Sequence, residues 1–104
     1  MSHLQALNSY FETKREEHLN ELKQFLRIPS VSALSDHKSD MQTAAAWLAD
    51  SLTKAGLENV SIDETKGHPV VYADWLHAEG KPTVLVYGHY DVQPVDPLNL
   101  WESE

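Results

Sequence analysis

The chain has 104 residues, 41% of them hydrophobic and 9% aromatic, enough for one domain able to bury roughly 65% of its unfolded surface. Eight Lys and Arg against sixteen Asp and Glu leave a net charge of -8, which lacks the basic stripe that nucleic acid or an anionic membrane demands, so neither is expected as a partner. With no cysteine, disulfides, thiolate metal sites and a cysteine nucleophile are excluded, and any metal must rest on imidazole and carboxylate.

Met1 to Leu7 shows no basic segment leading into an apolar one, so no secretory signal is read and the default compartment is cytoplasmic. Apolar residues Leu7, Phe11, Leu19, Leu22, Phe25 and Leu26 recur at helical steps, which predicts an amphipathic helix from about Ser2 to Arg27. Its middle, Glu12 to Glu17, is almost wholly polar and reads as solvated. Pro29 ends it, and Ile28-Pro29-Ser30-Val31-Ser32 reads as a loop.

A second helix is predicted from Ser39, with Ser39 and Gln42 as a capping box and Asp40 complementing the helix dipole. Met41, Ala44 or Ala45, Leu48, Leu52 and Ala55 form its inner face. Gly56 suits the left-handed position after the helix, with Leu57 folding back on Leu52 in a Schellman motif.

Beyond Gly56 the pattern turns from helical to alternating. Val60 and Ile62 mark one strand, and a second runs from about Val70 to Leu76. Ala78-Glu79-Gly80-Lys81-Pro82 has hairpin-loop chemistry, and Thr83-Val84-Leu85-Val86-Tyr87 is apolar on both faces, the mark of a buried central strand. Two helices followed by three strands of a mixed sheet imply an α/β fold.

Directly after that last strand comes Gly88-His89-Tyr90-Asp91-Val92-Gln93-Pro94. In extended chain, residues i and i+2 face the same way, so His89 and Asp91 stand side by side at a strand's C-terminal end, where open α/β sheets place ligands. A metal-ligating imidazole needs its other nitrogen held, and Asp91 is placed to do so. The triplet alone more often marks a histidine hydrogen-bonded to Asp91 for structural reasons.

The longer string from Thr83 to Pro94, followed by Trp101, resembles the first metal-binding motif of the M20 family of metallopeptidases. The helix leading into Ile28-Pro29-Ser30-Val31-Ser32, and the next helix ending at Lys54-Ala55-Gly56-Leu57, follow that family's N-terminal order. The resemblance implies a zinc-exopeptidase-like catalytic domain holding two divalent ions, zinc first and cobalt or manganese as alternatives, with His89 as metal ligand and Asp91 as the active-site acid that orients it. It implies hydrolysis of dipeptides or short peptides, with a homodimer compatible with the full-length enzyme. Tyr90 and Gln93-Pro94 resemble the dipeptidase and carnosinase branch more than the deacylases.

Members of that family are several hundred residues long, and their bridging Asp, Glu pair, further Asp and second His would all fall beyond Glu104. A catalytic zinc site takes about three protein ligands and a water, so residues 1–104 are expected to be the N-terminal part of a single catalytic domain, without its remainder or lid domain, and inactive alone. The rival readings are a non-catalytic small α/β binding module and a deacylase or other amidohydrolase of the same family.

The other histidines, His3, His18, His37, His68 and His77, show no ligand spacing and read as surface residues, with His18 the one that could face the core. Asp36, Asp40, Asp63, Glu64 and Asp74 read as capping, turn and solvated positions. Ser30 and Ser32 lack a nucleophile elbow and read as loop serines. Trp47, Trp75 and Trp101 read as packing residues, with Trp101 near enough to the motif to line the rim of a cleft.

Overall fold

The structure is a computed structural model that describes residues 2–103. Helix α1 spans His3–Leu26 and starts from a capping box: Ser2 Oγ accepts the Gln5 N–H at 3.2 Å, and the Gln5 side-chain carbonyl accepts the Ser2 N–H at 2.8 Å. Its polar middle is laced by Lys14–Glu17 and Arg15–Glu12 ion pairs at 2.9 and 2.6 Å. No residue of α1 is buried, and Leu7, Phe11, Leu19, Leu22 and Leu26 remain exposed. The helix meets the rest of the chain near its end, where the Phe25 ring stacks on Trp47 at 5.1 Å.

Helix α2 spans Lys38–Lys54 and follows a single 3-10 turn, Ser35–His37. The expected capping box at Ser39 and Gln42 does not form, because the 3-10 turn runs straight into the helix and the Ser35 carbonyl takes the Lys38 N–H. His37 occupies the N-cap without a side-chain cap bond, and its Nδ1 meets Asp40 Oδ2 at 2.8 Å. The other end is as expected. Gly56 adopts φ +95°, Leu57 N–H reaches the Leu52 carbonyl and Gly56 N–H the Thr53 carbonyl, both at 3.0 Å, which is a Schellman motif.

Strands β1 (Glu58–Asp63) and β2 (Val70–Asp74) pair antiparallel, with Asp63 opposite Val70, Ile62 opposite Val71 and Ser61 opposite Tyr72. A bulge interrupts the register between Glu58 and Ser61. Asn59 takes a positive φ of 53° there, a conformation that asparagine tolerates, and its amide donates to Asp74 Oδ1 at 3.0 Å. Helix α2 packs across both strands. The buried centre is small: Met41, Ala44 and Ala45 from α2, Ser30 and Val31 from the preceding loop, and Pro69 just before β2.

The third strand is the main departure from expectation. Thr83–Tyr87 belongs to no ladder, and Val84 to Tyr87 are between 79% and 89% exposed rather than buried. A strand apolar on both faces needs neighbours at its edges and cover on both sides, and the described residues supply neither. The turn before it does form, with Lys81 N–H on the Ala78 carbonyl at 3.1 Å. The fold is therefore α/β with a two-stranded antiparallel sheet, joined to the last segment by one parallel bridge, Val31 to Val92.

Surface area measures how open this arrangement is. The chain exposes 8960 Å², where a compact protein of 11.8 kDa exposes about 5,900 Å². Its radius of gyration of 17.1 Å likewise exceeds the roughly 13 Å usual at this length. No helix among the described residues is long and apolar enough to cross a membrane.

Candidate functional site

The segment after Thr83–Tyr87 acquires neighbours only when it reaches the loop at Ser30 to Ser32. Val92 N–H donates to the Ser30 carbonyl at 2.9 Å, and the buried Ser30 hydroxyl donates to the Tyr90 carbonyl at 2.9 Å. In this tightly turned loop Val31 is buried and bridges to Val92, while the Ser30 and Ser32 hydroxyls reach residues 90 and 91. Tyr90 is anchored on its other side by its hydroxyl, which donates to the Pro69 carbonyl at 2.5 Å. Burial is the first cause raising its pKa above the usual tyrosine value, followed by the charges of Glu64 and Asp91.

His89 and Asp91 stand together as the i, i+2 spacing predicts. His89 Nδ1 lies 2.8 Å from Asp91 Oδ1 and 3.2 Å from the Asp91 backbone carbonyl. Both neighbours are acceptors, so Nδ1 must carry the proton, and Nε2 is left with its lone pair outward on a side chain 77% exposed. That is the tautomer and presentation a metal ligand requires. Asp91 Oδ2 accepts the Ser32 hydroxyl at 2.5 Å, and this bond first, then His89, lowers the Asp91 pKa below the ordinary carboxylate value.

Ser32 and His68 are the members that sequence reasoning missed. Ser32, a loop serine by its sequence setting, holds Asp91 through its hydroxyl, and His68, a surface residue by its spacing, donates Nε2–H to the Ser32 carbonyl at 2.9 Å. The Ser-x-Ser spacing was the one available signal. The remaining candidates stay apart. His18 is half-buried against Tyr10 and Phe11 of its own helix, His77 pairs with Glu58, and the Trp101 indole donates to the Val95 carbonyl at 2.9 Å. Among the described residues no group of three or more His, Asp or Glu could hold a metal ion, so the donor set fits one ligand position of a metal centre and not a whole one.

An imidazole clamped by a carboxylate at the end of a segment suits a metal ligand and also a histidine held for structural reasons; comparison with known proteins narrows the choice. No family model matches the chain. Over 97% of its length it is 29% identical to the Cys-Gly metallodipeptidase DUG1 of Candida albicans, of which it covers 23%. It is 27% identical to the human Beta-Ala-His dipeptidase over 97% of the chain and 22% of that protein. A solved structure of the dipeptidase Dug1p from Saccharomyces cerevisiae matches 98% of the chain with a TM-score of 0.88 at 25% identity, covering 24% of Dug1p. The chain's homologues are thus metallodipeptidases of the Dug1 and carnosinase kind, as the resemblance to M20 enzymes led us to expect. The chain spans about a quarter of the length of the curated relatives it matches.

Proposed function

We propose that residues 1–104 form the N-terminal part of the catalytic domain of a cytoplasmic M20-type metallodipeptidase, with His89 as a metal ligand and Asp91 as the acid that orients it. The observation that carries this reading is the facing of His89 Nδ1 onto two acceptors, Asp91 Oδ1 and the Asp91 carbonyl, which leaves Nε2 on the far side of the ring from Asp91. The roughly 3,000 Å² of surface beyond that of a compact protein supports the assignment to a larger domain. A self-sufficient binding module would bury Val84 to Tyr87, which this chain exposes.

Two divalent ions, zinc first and cobalt or manganese as alternatives, would polarise the scissile carbonyl and lower the pKa of the attacking water. In that chemistry Asp91 holds the Nδ1 proton of His89 throughout and strengthens the imidazole as a donor. Tyr90, tied to Pro69, keeps the two from swinging out of the extended conformation. The general base and remaining ligands are not contributed by this chain, which is therefore inactive by itself. The relatives' names, which specify Cys-Gly, cysteinylglycine conjugates and Beta-Ala-His, support dipeptides or short peptides as the substrate class.

The test is to read the coding sequence past Glu104, express the complete protein, and assay dipeptide hydrolysis with zinc, cobalt or manganese. Metal-dependent activity that falls by roughly 10–100-fold in Asp91→Ala and is abolished in His89→Ala supports the proposal. Hydrolysis by the purified 104-residue chain, or full activity in the His89→Ala protein, would overturn it.

A further inference from the structure

Asp91 could hold His89 in several ways, because a carboxylate that is partly exposed rotates about its terminal bond and exchanges partners with water. In this structure it does not have that freedom. Oδ1 faces His89 Nδ1 at 2.8 Å, while Oδ2 accepts the Ser32 hydroxyl at 2.5 Å, so the carboxylate plane is fixed from both sides. The Ser32 carbonyl receives His68 Nε2–H at 2.9 Å, and its neighbour Val31 is buried in the core and pairs with Val92. The hydroxyl thus comes from a clamped position, 59 residues distant in sequence from the carboxylate it meets.

We propose that Ser32 is a positioning residue for the imidazole of His89: its hydroxyl fixes the Asp91 carboxylate, and the carboxylate dictates which ring nitrogen carries the proton. The proposal rests on the dipeptidase reading only for the use made of the free Nε2. Ser30, two residues earlier in the same loop, has a different task, since its hydroxyl goes to the Tyr90 backbone and touches neither side chain of the pair. The two serines therefore separate positioning from plain structural support.

Long-range proton–nitrogen spectra of the complete protein, labelled at histidine and freed of metal, at about pH 8, above the ordinary imidazole pKa of about 6.5, read the His89 tautomer directly. The wild type is expected mainly as the Nδ1–H form. Ser32→Ala should shift the population toward Nε2–H, Ser32→Thr, which keeps the hydroxyl, should restore it, and Ser30→Ala, which loosens the segment but leaves the Ser32–Asp91 bond in place, should shift it distinctly less. An unchanged tautomer in Ser32→Ala overturns the proposal, as does a Ser30→Ala shift of equal size, which would mark general loosening of the loop.

If Ser32→Ala does not fold, the wild type decides. Its Ser32 hydroxyl proton should exchange slowly enough to be seen at low temperature, and the absence of that signal counts against the bond. In the complete protein Ser32→Ala should also weaken Zn2+ binding by roughly 10–100-fold. A complete wild-type protein that binds no metal sinks the dipeptidase reading, while the tautomer comparison still decides Ser32.

Discussion

Ser30 and Tyr90 are joined hydroxyl to carbonyl at 2.9 Å, 60 residues apart in sequence, and Val92 returns a 2.9 Å bond from its N–H to the Ser30 carbonyl. This reciprocal clasp fastens the His89 to Asp91 segment to the core. Ser30 is only 2% exposed, so Ser30→Ala removes a donor where water has little access. A loss of about 1–3 kcal/mol is expected, read as a lower urea midpoint at an unchanged slope.

Gly56 gives a second prediction. Its φ of +95° is left-handed, and a Cβ there would meet nothing within 4 Å, so the penalty of Gly56→Ala is conformational and not steric. About 1 kcal/mol should be lost, with Gly56→Asn losing less, since asparagine accepts that region more readily. Equal stability of all three proteins in urea would contradict the Schellman cap.

Strand β2 carries a pH-dependent link between two of its own residues. The Tyr72 hydroxyl donates to Asp74 Oδ2 at 2.8 Å, and this bond, then the carboxylate's charge, raises the tyrosine pKa. A raised folded value means that the contribution to stability is complete below the unfolded tyrosine pKa of about 10 and is lost as pH rises through the folded one. Difference titration of tyrosinate absorbance between wild type and Tyr72→Phe should show this residue ionising late. In Asp74→Asn the delay should shrink.

Val84, Leu85, Val86 and Tyr87 form a bare apolar segment with unpaired backbone, a template for association between chains. Leu85, 89% exposed, is the position where a charge should act most strongly. Leu85→Lys is expected to reduce self-association in sedimentation while leaving the helical circular dichroism unchanged and stability within about 0.5 kcal/mol.

The parts legible in the sequence are those whose causes are local. The end of α2 follows from Gly56 and Leu57 within one turn, and the facing of His89 and Asp91 follows from their two-residue spacing. Pairing of Thr83–Tyr87 was not legible, because a strand's partners lie elsewhere and its apolar pattern reports only that cover is needed. Ser32 and His68 were missed for the same reason, as their partners are 59 and 36 residues away. The Ser39 capping box lost to a preceding 3-10 turn whose carbonyl took the helix's first donor.

The clasp between the Ser30 to Ser32 loop and residues 90 to 92 also sets an order of events in time. Helices α1 and α2 and the β1–β2 hairpin close through contacts of short sequence separation and can form early, whereas this clasp must first bring together ends some 60 residues apart. A synthetic peptide covering only Thr83 to Pro94 would hold His89 and Asp91 in sequence but would lack Ser30 and Ser32, and its imidazole would be free to turn. The geometry of the pair thus depends on contacts of long sequence separation as well as on its own two-residue spacing.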